Sequence, residues 1–145
     1  MDIAIIVKNI EMSQMAYLID IQRKIHNISV YTIQTIENTY SYGMSIFSIS
    51  ELNYFKGDYV IATDVECCKF ALNSIINTPI LFYCFDLDWI RIKDFNYNDF
   101  AQVYQNHSLK LFCRSKYHSD IINKTWNTKC FQVEDFNIND MIGAT

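Results

Sequence analysis

The chain has 145 residues, 50% of them hydrophobic and 15% aromatic, with a formal net charge of −4. That composition predicts one folded domain over 1–145 and excludes a disordered chain; a domain of this size buries roughly 68–70% of its unfolded surface. The acidic balance argues against a nucleic-acid partner, and no apolar run approaches the roughly 20 residues that span a bilayer.

Met1-Asp2-Ile3-Ala4-Ile5-Ile6-Val7 lacks a basic leader and a small-residue cleavage site, so Ile3 to Val7 reads as a buried first strand. A helix is expected from about Ser13 to His26, with a stripe of Met15, Leu18, Ile21 and Ile25 widened by Met12 and Ile19. His26 would close it, where a cation favours the helix dipole. Ser29-Val30-Tyr31-Thr32-Ile33 is β-branched and predicts a second strand, parallel to the first. From Gln34 to Gly57 the pattern is irregular, with a short edge strand at Met44 to Ile49 and a helical turn at Glu51 to Phe55. Tyr59 to Thr63 predicts a strand. Thr63-Asp64-Val65-Glu66 has the Thr-x-x-Glu form of a capping box and opens a helix from Val65 to Asn77. Asn77-Thr78-Pro79 breaks it, and Ile80 to Phe85 forms the next strand. A short helix over Asp99 to Gln105 and a strand at Leu109 to Cys113 follow. Ser115 caps a helix from Lys116 to Trp126, and a last strand runs from Cys130 to Val133. Strands alternating with helices predict an α/β fold: a single Rossmann-like three-layer α/β/α domain with a mostly parallel sheet.

The five cysteines (67, 68, 84, 113 and 130) form neither a C-x-x-C pair nor a framework, which suits reduced thiols, a cytoplasmic location and no bound metal. Few glycines and many Ile, Asn and Tyr residues fit an AT-rich coding genome, as in many viruses. Lys8-Asn9-Ile10-Glu11 follows the first strand without the glycines that let a backbone approach a pyrophosphate, so no dinucleotide cofactor is expected.

Ligands of open parallel sheets sit at the carboxyl ends of the strands, which here carry Asp86-Leu87-Asp88-Trp89 and Arg114-Ser115-Lys116. Asp86 and Asp88 have the D-x-D spacing of a phosphatase nucleophile motif, but Ile90 stands where that motif needs Thr or Val. The same spacing would suit a shared divalent cation; alternatively the two carboxylates cap the next segment or pair with Arg91 and Lys93. Ser115-Lys116, at a helix start beside Arg114, is the best candidate for holding an anion. His118-Ser119-Asp120 contains triad residue types, yet consecutive helix residues do not face one another. Cys113 and His118 could meet at the strand-helix junction. Lys110, Arg114, Lys116, His118, Lys124 and Lys129 concentrate positive charge late in the chain.

Asp58-Tyr59-Val60-Ile61-Ala62-Thr63, the strand from Leu81 to Trp89 ending in D-L-D-W, and Arg114-Ser115-Lys116-Tyr117-His118 together resemble the N-terminal Rossmann-like half of GT-B glycosyltransferases. The closest likeness is to the small glycosyltransferase-like proteins of T4-like tailed phages. The resemblance spans most of the chain and departs at Phe85, where the family often has histidine. In that family the nucleotide-sugar lies between two halves, and only one is matched here. The resemblance therefore implies a viral binding or scaffolding protein on a catalytically reduced half-domain, with a protein partner or self-association. The alternative is the acceptor-side subunit of a nucleotide-sugar-dependent glycosyltransferase completed by another chain. Asp86, Asp88, Trp89, Arg114, Ser115 and Lys116 would line the contact face. Tyr40, Tyr42, Tyr54, Phe55, Phe95, Tyr97 and Phe100 supply the aromatic surplus of an interface.

Overall fold

A computed structural model describes residues 1–10, 13–34 and 43–145. Seven strands form one sheet: β1 (Asp2–Val7), β2 (Asn27–Thr32), β3 (Ile46–Ser48), β4 (Tyr59–Ala62), β5 (Ile80–Cys84), β6 (Leu109–Cys113) and β7 (Cys130–Gln132). Their order is β3-β2-β1-β4-β5-β6-β7, and every neighbouring pair is parallel. The fold is therefore α/β with an all-parallel, doubly wound sheet in a Rossmann-like three-layer arrangement.

Alternation along each strand divides the core in two. Ile3, Ile5 and Val7 face the layer of α1 (Ser13–Gln22) and α6 (Ile138–Gly143), together with Ile19, Ile138 and Met141. Ala4, Ile6, Val60 and Ala62 face the layer of α2 (Val65–Asn73), α4 (Tyr97–Tyr104) and α5 (Lys116–Trp126). Ile5 and Ile6 are both fully buried, and each such side chain contributes about 1.5–3 kcal/mol. A strand buried on both faces must be apolar throughout, which is why these strands read as unbroken runs.

The first helix is shorter than its sequence pattern: Met15, Leu18 and Ile19 of the expected stripe pack on the core, and the departure is confined to its end. It ends at Gln22, and β2 already begins at Asn27, so the chain turns over residues 23–26. Ile25 is carried into solvent at 62% exposure and Ile21 is also exposed, whereas Ile19 and Gln22 are buried. Gln22 faces inward because its Oε1 accepts from the Ile138 N–H at 3.4 Å. His26 is buried, and its Nε2 has no hydrogen-bond partner among the described residues. Desolvation, followed by the nearby amino terminus, lowers its pKa, which disfavours the cationic role expected at a helix end. Met12, Tyr40 and Tyr42 lie outside the described residues.

The cap of α2 differs from the Thr63 box. Asp64 is the N-cap, accepting from the Cys67 N–H at 2.8 Å, and a carboxylate there also suits the helix dipole. The Thr63 hydroxyl instead donates to the Ile6 carbonyl at 2.9 Å and ties β4 to β1. The helix stops at Asn73 rather than Asn77. The Ser74 N–H and hydroxyl both bond the Ala71 carbonyl, while Asn53 draws the Ile75 N–H outward at 3.0 Å. Residues 49–54 form a 3-10 helix. The helix expected over Lys116 to Trp126 is present at those bounds, with Ser115 accepting from the His118 N–H at 3.2 Å and Asn127 closing it in the left-handed region.

Between β5 and α4 the chain makes a single helical turn, α3 (Asp88–Arg91), then a short connection with a turn at 93–94. Every residue from Ile90 to Asp99 is exposed. We refer to residues 90–97 as the arm. No helix among the described residues is long and apolar enough to cross a membrane.

Candidate functional site at the carboxyl ends of the strands

The chain winds from β1 through β2 to β3 on one side, then continues through β4 on the other. The carboxyl ends of β1 and β4 are thus the switch point where doubly wound sheets open a crevice. A cleft of about 980 Å³ lies there, at the upper end of the usual small-ligand range. Val7, Lys8 and Asn9 enter from β1, Thr63, Asp64 and Val65 from β4, Phe85, Asp86 and Asp88 from β5, and Arg114 from β6. Arg91 and Ile92 of the arm and Phe100 of α4 close one side.

Most of these charges are committed to one another. Lys8 Nζ pairs with Glu66 at 3.0 Å, Arg91 with Asp86 at 2.9 Å, and Lys69 with Asp99 at 3.4 Å. The hydrogen bond and charge of Glu66 hold the Lys8 ammonium above its ordinary pKa. Asp86 also accepts from the Leu87 N–H at 2.8 Å. Arg114 is exposed and makes no salt bridge among the described residues.

Asp88 stands out electrostatically. Desolvation, then the charges of Asp64 and Asp86, push its carboxyl up to about 6, outweighing the Val65 N–H and Arg91, which act in the opposite direction. Loss of hydration and like charges nearby each favour the neutral acid.

Of the six residues named from sequence, Asp86, Asp88 and Arg114 line the cleft, and Trp89, Ser115 and Lys116 do not. Trp89 packs edge-on against Tyr104 and Trp126, with ring centres 5.1 and 5.4 Å apart. Ser115 spends its hydroxyl on the α5 cap. Lys116 is exposed on the first turn of α5. Asp64, Lys8 and Glu66 complete the cleft walls; only the crossover topology shows that three distant sequence segments converge there.

The other chemical candidates fall into structural roles. All five cysteines are free and buried and share one core layer. Burial raises the pKa of Cys67, Cys68 and Cys84, which suppresses the thiolate a nucleophile needs. The Cys113 thiol donates to the Ser115 carbonyl at 3.3 Å, and Ser119 to the Cys130 carbonyl at 2.7 Å. Part of the late basic charge is also used locally. Lys110 and Lys129 lie 5.3 and 4.7 Å from the centre of the Phe131 ring, and Lys110 donates to the Ala144 carbonyl. No group of three or more His, Cys, Asp or Glu residues among those described is arranged to hold a metal ion.

The aromatic surplus divides in the same way. Phe100 is buried, Phe55 packs against Tyr31, and Tyr54 is 83% exposed. Phe95 and Tyr97 lean on Trp126 while keeping 38% and 53% of their surface in solvent. Protein-family models and curated proteins give no match to this sequence.

Proposed function

We propose that this chain is a binding protein built on a catalytically reduced glycosyltransferase-like half-domain, and that it acts through protein-protein contacts at the carboxyl-end face of its sheet. The observation that carries this reading is the arm. Ile90, Ile92, Phe95 and Tyr97 are all exposed within eight residues, and Ile92 among them lines the cleft. Clustered exposed apolar and aromatic side chains next to a polar rim are the composition of a contact surface. The pairing of Lys8 with Glu66 and Arg91 with Asp86 supports the same view, because charges that neutralise one another make a pre-formed rim.

The test is affinity capture from the native host, together with light scattering on a sizing column. Wild-type protein should retain a partner or self-associate. A variant carrying Ile90→Ser, Ile92→Ser and Tyr97→Ser should lose that association while keeping its circular dichroism. A strictly monomeric wild type that captures nothing would overturn the reading.

The second reading, an acceptor-side glycosyltransferase subunit, is favoured by one arrangement. Asp86, Asp88 and Arg114 share the cleft with the Phe85 ring. Carboxylates and guanidinium groups hydrogen-bond hydroxyls from opposite senses, and a ring face supports an apolar sugar face. Thermal shift with UDP, GDP and their sugars, with and without a captured partner, separates the two. Stabilisation by a nucleotide-sugar favours the enzyme subunit.

A further inference from the structure

The cleft carries charges of both signs that its own walls do not neutralise. Four cations line it, and Lys8, Lys69 and Arg91 are each paired with a carboxylate. Arg114, the fourth, has no ion pair or hydrogen bond among the described residues. Four carboxylates also line it. Glu66 and Asp86 are the partners of Lys8 and Arg91, whereas Asp64 and Asp88 have no ion pair among the described residues. Both of these belong to the amino end of α2: Asp64 is its N-cap, and Asp88 draws on the Val65 N–H.

The two sets of free charge leave the sheet at different strands. Arg114 follows β6 and Asp64 follows β4, with β5 between them. Strand ends two spacings apart are separated by roughly 10 Å, a gap that two or three extended residues cross. Phe85 and Arg114 stand one position beyond the paired residues Cys84 and Cys113, so an aromatic ring lies next to the free guanidinium. Phe100 and Ile92 add apolar surface to the same cleft. A phosphate fits this lining poorly. Asp64 already occupies the amino end of α2, where an anion would otherwise sit, and each added negative charge is repelled by Asp64, Asp86 and Asp88. A single free guanidinium suits one carboxylate, held by two parallel hydrogen bonds.

We propose that the cleft binds short zwitterionic peptides of two or three residues, with the terminal carboxylate on Arg114, the terminal ammonium at Asp64 and Asp88, and apolar side chains against Phe85 and Phe100. The inference goes beyond the contact-face reading and does not depend on it, because the ligand is a small molecule inside the cleft rather than a protein on the arm.

The experiment is titration of the full chain with the tripeptide Ala-Ala-Phe, followed by nitrogen-proton correlation spectra. Its C-terminal amide, its N-acetyl form, inorganic phosphate and UDP are titrated in parallel. The free tripeptide should bind saturably and shift the amides of Val65, Phe85 and Arg114. Blocking either terminus should weaken binding by about tenfold or more, the effect of losing a hydrogen bond to a charged group. Arg114→Gln should weaken the free tripeptide equally and leave the amide unchanged, so that acid and amide bind the variant alike. Asp88→Asn should likewise narrow the difference between the free and acetylated peptides. Circular dichroism shows that both variants are folded. Absence of saturable shifts with the tripeptide overturns the site, and so does binding that Arg114→Gln leaves unchanged. Tighter binding of phosphate or UDP than of the tripeptide also overturns it, assigning the free guanidinium to a phosphate group. Partner capture through the arm is a separate measurement and stands or falls independently of these results.

Discussion

Two neighbouring strands leave the sheet in opposite ways. After β6, Cys113-Arg114-Ser115 turns directly into an 11-residue helix whose first turn is capped by Ser115 and whose end is closed by Asn127. After β5, Phe85-Asp86-Leu87-Asp88 enters a four-residue turn with no side-chain cap and then an exposed arm. The β6 exit caps its helix start locally, Ser115 accepting from the His118 N–H. The β5 exit brings two carboxylates to a third, Asp64, and leaves apolar side chains in water. The difference teaches where this fold spends its local stability and where it keeps a surface open.

The largest effect should come from the residue both exits share. Trp126 is fully buried and stacks on Tyr104 while supporting Trp89 and Tyr97. Trp126→Ala should cost about 3–5 kcal/mol in urea unfolding and loosen the arm as well as α5, erasing the contrast. Ser115→Ala strikes only the orderly exit and should cost about 1 kcal/mol, read from the same midpoints. Tyr104→Phe removes a buried hydroxyl that has no hydrogen-bond partner among the described residues. It should be neutral or stabilising by up to about 1 kcal/mol, whereas a clear loss would reveal a hydrogen bond that matters. Arg91→Ala breaks a largely exposed ion pair and should change global stability by no more than about 0.5 kcal/mol. A larger loss would mean that the arm contributes to the core rather than standing apart from it.

The sequence was most legible where burial or capping leaves a local mark. Strands buried on both faces demand unbroken apolar runs, so Ile3 to Val7 and Ile80 to Cys84 could be recognised directly. Ser115 announces α5 because a hydroxyl at that position has a backbone donor within reach. The first helix keeps Met15, Leu18 and Ile19 of its expected stripe on the core, but its inward Gln22 carries no local signal, since it is justified only by Ile138, 116 positions away. For the same reason α6 escaped notice: it is one short helix whose Ile138 and Met141 gain meaning only against the α1 layer. Asp86, Asp88 and Arg114 were visible as strand-end charges. Their convergence with Lys8 and Asp64 depends on the crossover from β3 to β4, which no local pattern encodes. Trp89 pointed the other way, conspicuous in the motif yet packed into the aromatic layer.

The two exits also differ in electrostatics, because the β5 exit carries Asp88. Its folded pKa of about 6 exceeds the roughly 3.9 of an unfolded aspartate. The native state therefore binds the extra proton, and the associated stability is fully present below the unfolded value and lost as pH rises through the folded one. The direct measurement is unfolding free energy against pH for wild type and Asp88→Asn. The two curves should agree at about pH 4 and separate through about pH 6, with the variant more stable by about 1–2 kcal/mol at neutral pH after solvent screening. Curves that stay parallel across that range, or a variant that is less stable at neutral pH, would contradict the account.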